Sequence, residues 1–128
     1  MRIRPQRLTH LSYKHISDYA LLGTRMLSFY NSLSNKESKF ASLILEGGSY
    51  NIMQSCKNLL KLKSKRDIHS FYDRFDTYAD RSSLLHYREP SYCWTKWTRF
   101  CLSHRQMATI VVSIAISSNM VKWFKALK

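Results

Sequence analysis

Cations, with aromatic rings set among them, are the chemistry-bearing residues that dominate this sequence. Arg2, Arg4 and Arg7 open the chain, Lys61, Lys63, Lys65 and Arg66 crowd the stretch "KLKSKR", and Arg88, Lys96, Arg99, His104 and Arg105 run through "REPSYCWTKWTRFCLSHR". Lys and Arg bound to phosphates release condensed counterions. Tyr92, Trp94 and Trp97 stand among the last group of cations and offer flat faces to unstacked bases or to a phosphate-bound guanidinium. The chemistry these types and spacings suit is nucleic-acid binding. The same rings have a second use, packing their segment onto helices, and "KLKSKR" would equally serve as a solvated loop between helices.

Residues for catalysis are not arranged for it. The 8 acids are scattered, and the one pair at helical spacing, Asp73 and Asp76, lies amid Arg74 and Arg81. That pattern reads as a salt-bridged surface rather than a general acid and base. His10, His15, His69, His86 and His104 make no HExxH or similar motif, and Gly47-Gly48 lacks the Lys-Ser/Thr pair of a phosphate-binding loop. Cys56, Cys93 and Cys101 include no CxxC. Cys93 and Cys101 with His86 and His104 form a Cys/His set whose spacing fits no familiar finger, so free thiols in a reducing compartment are expected. No catalytic residue, metal or cofactor is expected, and the chain does not read as an enzyme.

The charge points the same way as the cation clusters. With 21 Lys+Arg against 8 Asp+Glu, the net charge is +13, which calls for a polyanionic partner, either nucleic acid or anionic lipid. Hydrophobic content of 45% and aromatic content of 13% argue for a folded chain, and 128 residues suit one domain. The opening "MRIRPQRLTHLSYKHIS" is Arg-rich, Ser-containing and free of acid, as mitochondrial targeting segments are. Such a segment implies a retained signal or synthesis inside the organelle; a basic RNA-gripping arm has the same composition.

The elements that must hold these residues are mostly helical. Residues 13–33 place Ile16, Tyr19, Ala20, Met26, Leu27, Tyr30 and Leu33 at helical spacing. "SLSNKES" reads as a break, with Ser34 or Asn35 as the cap of a short helix "KESKFASLILEGG" that presents Phe40, Leu43 and Ile44 and ends at a left-handed Gly47-Gly48 stop. Ser49 caps the next helix, with Ile52, Met53, Cys56, Leu59 and Leu60 as its stripe, and "RDIHSFYDRFDTYADR" follows with Ile68, Phe71, Phe75 and Tyr78 on one face. The aromatic, β-forming texture of "LLHYR" and "YCWTKWTRF" around the turn "EPS" predicts a β-hairpin over about 84–100. Ser103 and Gln106 form a capping box for the last helix, on which Met107, Ile110, Val111, Ile114, Ser118, Val121 and Leu127 mark one apolar face and Val112, Ile116 and Trp123 a second. Its uncharged run, Gln106 to Val121, falls short of the roughly twenty apolar residues of a span and is diluted by hydroxyls, so no membrane span is expected. The expected fold is mainly α: a bundle of about five helices with one β-hairpin inserted before the last. Residues 1–34 read as a basic arm and an added helix, and 35–128 as the RNA-binding domain.

Four segments in this order resemble a known family. "KFASLILEGG" is similar to the first core helix and Gly turn of small-subunit ribosomal protein seven, and "RDIHSFYDRFDTYAD" to its third helix. "LLHYREPSYCWTKWTRF" takes the place of its RNA- and tRNA-facing β-ribbon, where Pro90-Ser91 and Tyr92-Cys93 stand in place of the family's Gly-Gly and Tyr-Gln-Val-Pro signature, and "SHRQMATIVVSIAIS" resembles the Arg-containing helix start that follows. The form resembled is divergent and organellar; "RFCLSH" also resembles a segment of small-subunit protein fourteen. The resemblance implies a structural constituent of the mitochondrial ribosome small subunit, in the matrix, binding and ordering rRNA in the subunit head. Its implied partners are rRNA, neighbouring ribosomal proteins and, beside the hairpin, exit-site tRNA. The rival expectation is an accessory structural subunit of an inner-membrane respiratory complex, its cations facing anionic lipid; a free nucleic-acid-binding factor is a third.

Overall fold

Helix α1, Tyr13–Ser32, begins where the Ser12 side chain accepts a hydrogen bond from the Lys14 amide, and it buries Ile16, Ala20, Gly23, Leu27 and Tyr30. The computed structural model describes residues 12–85 and 94–117. The Lys36 ammonium closes α1 by donating to the carbonyls of Asn31 and Leu33, at 3.0 and 2.9 Å. The next cap is Ser38 rather than Ser34 or Asn35: its hydroxyl accepts from the Ala41 amide at 3.0 Å, while Asn35 forms a turn by accepting from the Glu37 amide.

Helix α2 runs unbroken over Lys39–Asn58, so Gly47 and Gly48 do not stop a helix. They sit inside it because α1 and α2 cross at glycine. A Cβ on Gly23 would lie 2.6 Å from the Gly48 carbonyl oxygen and 2.8 Å from Ile52 Cγ1, and one on Gly48 would lie 3.0 Å from the Gly23 carbonyl oxygen. Backbones meet there with no side chain between them. Carrying the helix through also turns its buried stripe to Ala41, Leu45, Gly48, Ile52 and Cys56, which leaves Phe40 and Leu43 outside at 55% and 56% exposure. Ser55 locks the pair by donating to the Ile16 carbonyl at 2.9 Å.

After a 3-10 turn at Leu59–Lys61, Ser64 caps α3, Lys65–Tyr78, by accepting from the Asp67 amide. Asp67 in the first turn suits the helix dipole. Ile68, Phe71, Tyr72 and Phe75 are buried as a stripe, but Tyr78 leaves the expected face and is 71% exposed. A one-turn helix, α4, Arg81–Leu84, is capped by Asp80.

The β-hairpin is not formed among the described residues, which contain no strand. Its first arm begins inside α4, its second is largely helix α5, Lys96–Ser103, and 86–93 lie outside the described residues. Thr95 accepts from the Thr98 amide at 3.1 Å and starts α5. Buried Trp94, Thr98, Cys101 and Leu102 follow a helical period, which overrides the alternation read from the aromatic residues. Ser103 consequently ends α5, donating to the Arg99 carbonyl, and does not cap the last helix. That helix, α6, covers Arg105–Ser117 and buries Ala108, Thr109, Val112 and Ala115. Of the two apolar strips expected on this helix, Met107, Ile110 and Ile114 of the first are about half exposed, at 54%, 47% and 56%, while Val112 of the second is buried and Ile116 packs against the core. Among the described residues no single helix is long and apolar enough to cross a membrane; α5 and α6 would reach that length only together, and they bend by 119°. One core, joining Ile16, Leu27, Ile52, Leu59, Phe71, Tyr72, Leu84, Leu102 and Val112, unites α1 with α2 through α6 among the described residues.

Candidate nucleic-acid interface

Which cations face outward depends on which ones the acids hold. Arg105 donates to Asp73 at 2.5 Å and to Asp76 at 3.0 Å; Arg81 reaches Asp76 at 2.7 and 3.2 Å and the Leu102 carbonyl at 2.8 Å. Both guanidiniums lie over the Tyr72 ring, 5.3 and 5.4 Å from its centroid, and the Tyr72 hydroxyl donates to the Cys101 carbonyl at 2.8 Å. This clasp joins α3, α4, α5 and α6. Burial pushes the Tyr72 hydroxyl far above the ordinary phenol range, and the fields of Cys101 and Cys56 add to it. Burial works against the Arg105 charge, but the hydrogen bonds and charges of Asp73 and Asp76 outweigh it and hold the guanidinium above its usual value. Asp73 and Asp76 are thus part of a salt-bridged surface, as their spacing suggests.

Arg105, expected on RNA, is here ion-paired to Asp73 and Asp76 of α3, and its Nη2 also reaches the His69 carbonyl. Arg74 is likewise committed, to Asp18 at 2.5 Å, the Ser17 hydroxyl at 2.8 Å and the Lys14 carbonyl at 3.1 Å. The stacking candidates turn inward too. Trp94 is 4% exposed and donates its indole N–H to the Leu84 carbonyl at 3.1 Å, so neither face is open to a base. Trp97 is half-buried, packs on the core and donates to the Cys56 carbonyl at 2.9 Å. Tyr92, Arg88, Arg2, Arg4 and Arg7 lie outside the described residues.

The cations left outward-facing concentrate at the junction of α2 and α3. Lys57, Lys63, Lys65 and Arg66 are exposed, with Lys61 half-buried among them, and no acid occurs between Glu46 and Asp67. Lys57, Lys63, Lys65 and Arg66 form no ion pair among the described residues. Local folding creates the cluster. The turn buries Leu59, Leu60 and Leu62, and Lys57, Lys63, Lys65 and Arg66 to either side of them are left in solvent. The Trp97 hydrogen bond to Cys56 brings α5 to the end of α2 where this cluster begins. Lys96 and Arg99 are exposed on α5, and exposed His104 lies against Phe100 with ring centroids 5.6 Å apart.

The structure therefore brings Lys61, Lys63, Lys65 and Arg66 together, sets Lys96 and Arg99 on the neighbouring helix, and removes Arg105 and Trp94. Sequence reading passed over Lys57, whose place in the cluster shows once α2 is carried past Gly48. It also passed over Arg25 and over Tyr78 as an exposed ring. Among the described residues no group of three or more His, Cys, Asp or Glu is placed to hold a metal; Cys56 and Cys101 are buried free thiols. The chain matches no family model, no curated protein and no solved structure.

Proposed function

We propose that this protein is a structural RNA-binding component of the mitochondrial ribosome small subunit, holding rRNA in the subunit head by phosphate contacts. The observation that carries the reading is the acid-free cationic junction Lys57–Arg66 between α2 and α3, at the end of α2 that Trp97 ties to α5, the helix carrying exposed Lys96 and Arg99. No pocket for chemistry is needed. Of the segments that resemble small-subunit ribosomal protein seven, "RDIHSFYDRFDTYAD" and "SHRQMATIVVSIAIS" are helical as the resemblance implies, whereas the Gly turn is not formed and no strand occurs among the described residues; on this reading the RNA-facing element is the α2–α3 junction. Neighbouring ribosomal proteins would cover the exposed apolar residues of α6.

The test is binding of the full chain to a small-subunit rRNA duplex between 50 and 200 mM salt, as set by the strong-salt-dependence range. Each phosphate neutralised contributes about −0.9 to the slope of log K against log salt. The triple variant K63A/K65A/R66A is expected to flatten the slope by about 2.7 on that basis. Salt-independent association would overturn the proposal. One observation favours a second reading: the exposed Met107, Ile110 and Ile114 of α6 suit an interfacial helix on an inner-membrane complex. Gradient sedimentation of detergent-solubilised organelles, with and without ribonuclease, separates the two. Migration with the small subunit and a shift after RNA digestion support the ribosomal reading; migration with a ribonuclease-resistant membrane complex supports the other.

A further inference from the structure

Away from the junction, α1 and α3 part to leave a half-open groove of about 550 Å³ between Asp18, Leu21, Leu22 and Arg25 on one side and Arg74 and Tyr78 on the other. That volume falls in the roughly 300–1,000 Å³ range of small-molecule sites. Its lining follows from helical spacing: positions 18, 21, 22 and 25 form one edge of α1, and positions 74 and 78 one edge of α3. The Arg74 ion pair to Asp18 ties the two helices and sets the groove's width. Tyr78, the last residue of α3, is 71% exposed, while Phe71 and Phe75 on the same helix are buried. Its ring adds nothing to the core.

We infer that this groove binds an unpaired nucleotide bearing an amino-substituted base, stacked on Tyr78, with its phosphate on Arg25. The parts correspond to the ligand one by one. An exposed phenol ring gives a face of the kind on which single-stranded bases stack whatever their sequence. Leu21 and Leu22 supply an apolar floor for a flat ring. Arg25 is exposed and forms no ion pair among the described residues, so its fork is open to a phosphate. Arg74 donates to Asp18 Oδ1, which leaves Oδ2 to accept from a ligand. A carboxylate oxygen accepts from the amino groups of cytosine and adenine and repels the carbonyl oxygens that border the single ring N–H of uracil. Two guanidiniums against one carboxylate leave one positive charge, enough for a single phosphate. The groove thus reads a base, whereas the junction holds a backbone.

This inference rests on the RNA-binding reading, and the experiment separates the two. Full-length protein is titrated with labelled single-stranded oligoadenylate, oligocytidylate and oligouridylate, and with an RNA duplex of equal length. The wild type is expected to favour the adenine and cytosine strands over uracil. Y78A is expected to weaken binding of those strands by on the order of 10-fold, as loss of a stacked base does, with Y78F close to wild type. R25A lowers affinity for all three strands, and D18N reduces the discrimination against uracil. Duplex binding is unchanged in Y78A. Y78A is chosen because the ring is exposed and its loss spares the core; a thermal melt confirms this. If duplex RNA binds in a salt-dependent manner but Y78A binds oligoadenylate as the wild type does, the groove assignment fails and the junction stands. If neither form of RNA binds, both fail.

Discussion

Gly23→Ala tests the crossing on which the frame depends. A methyl group at this position would sit 2.6 Å from the Gly48 carbonyl oxygen and 2.8 Å from Ile52 Cγ1, so α1 and α2 must separate to admit it. Alanine gains about 0.5–1 kcal/mol over glycine from helix propensity. Overpacking of a well-filled contact costs about 1–3 kcal/mol, and here the obstacle is backbone, which cannot rotate away. The net expectation is a loss of about 1–2 kcal/mol. Gly47→Ala is the control. Its methyl group would meet only Met26, at Cε, the far end of a flexible side chain. That change keeps the propensity gain and is expected to be neutral or stabilising by up to about 1 kcal/mol. Urea unfolding followed by far-ultraviolet circular dichroism gives both values, with the denaturant slope checked for constancy. A Gly23→Ala protein as stable as Gly47→Ala would refute the close backbone crossing.

Two further outcomes concern the clasp. Replacing Arg105 by Ala removes charged hydrogen bonds to Asp73 and Asp76 and should cost about 1–3 kcal/mol of stability, while RNA affinity stays within twofold; a large affinity loss at unchanged stability would return Arg105 to the RNA surface. Tyr72 carries a pH dependence: the unfolded chain ionises it near 10.0, while burial keeps the folded form protonated above that. The folded state therefore retains a proton that the unfolded state releases, so this contribution is complete below about pH 10 and declines by about 1.4 kcal/mol per pH unit above it. Tyr72→Phe should remove that part of the alkaline slope, and equal slopes in the two proteins would count against a buried phenol.

Helices were legible in the sequence wherever one apolar stripe decided the matter. Tyr13–Ser32 and Lys65–Tyr78 follow from spacing and from Ser and Asp at their starts. Glycine misled, because Gly47-Gly48 serves a turn or a close helix contact with the same letters, and only the partner Gly23, distant in sequence, tells which. Aromatic residues misled for a related reason. Trp94 and Trp97 have β-forming side chains, yet each finds a carbonyl for its indole N–H, at Leu84 and Cys56, once Lys96–Ser103 is helical. Tertiary context outweighed local preference there. At the interface, the "KLKSKR" cations were legible because the turn is set by the buried leucines beside them. Arg105 was not, since its acids lie 29 and 32 positions away.

The clasp around Tyr72 also has a meaning in time. The α1–α2 hairpin joins neighbours in the chain, and its glycine crossing needs nothing beyond Ile52. Tyr72, by contrast, waits for Arg81, for the Cys101 carbonyl and finally for Arg105, each later in synthesis. Local contacts form fast and distant ones late. At a synthesis rate of roughly 5–20 residues per second, every residue of the α1–α2 crossing and of the cationic junction is made seconds before Arg105, the last residue the clasp requires.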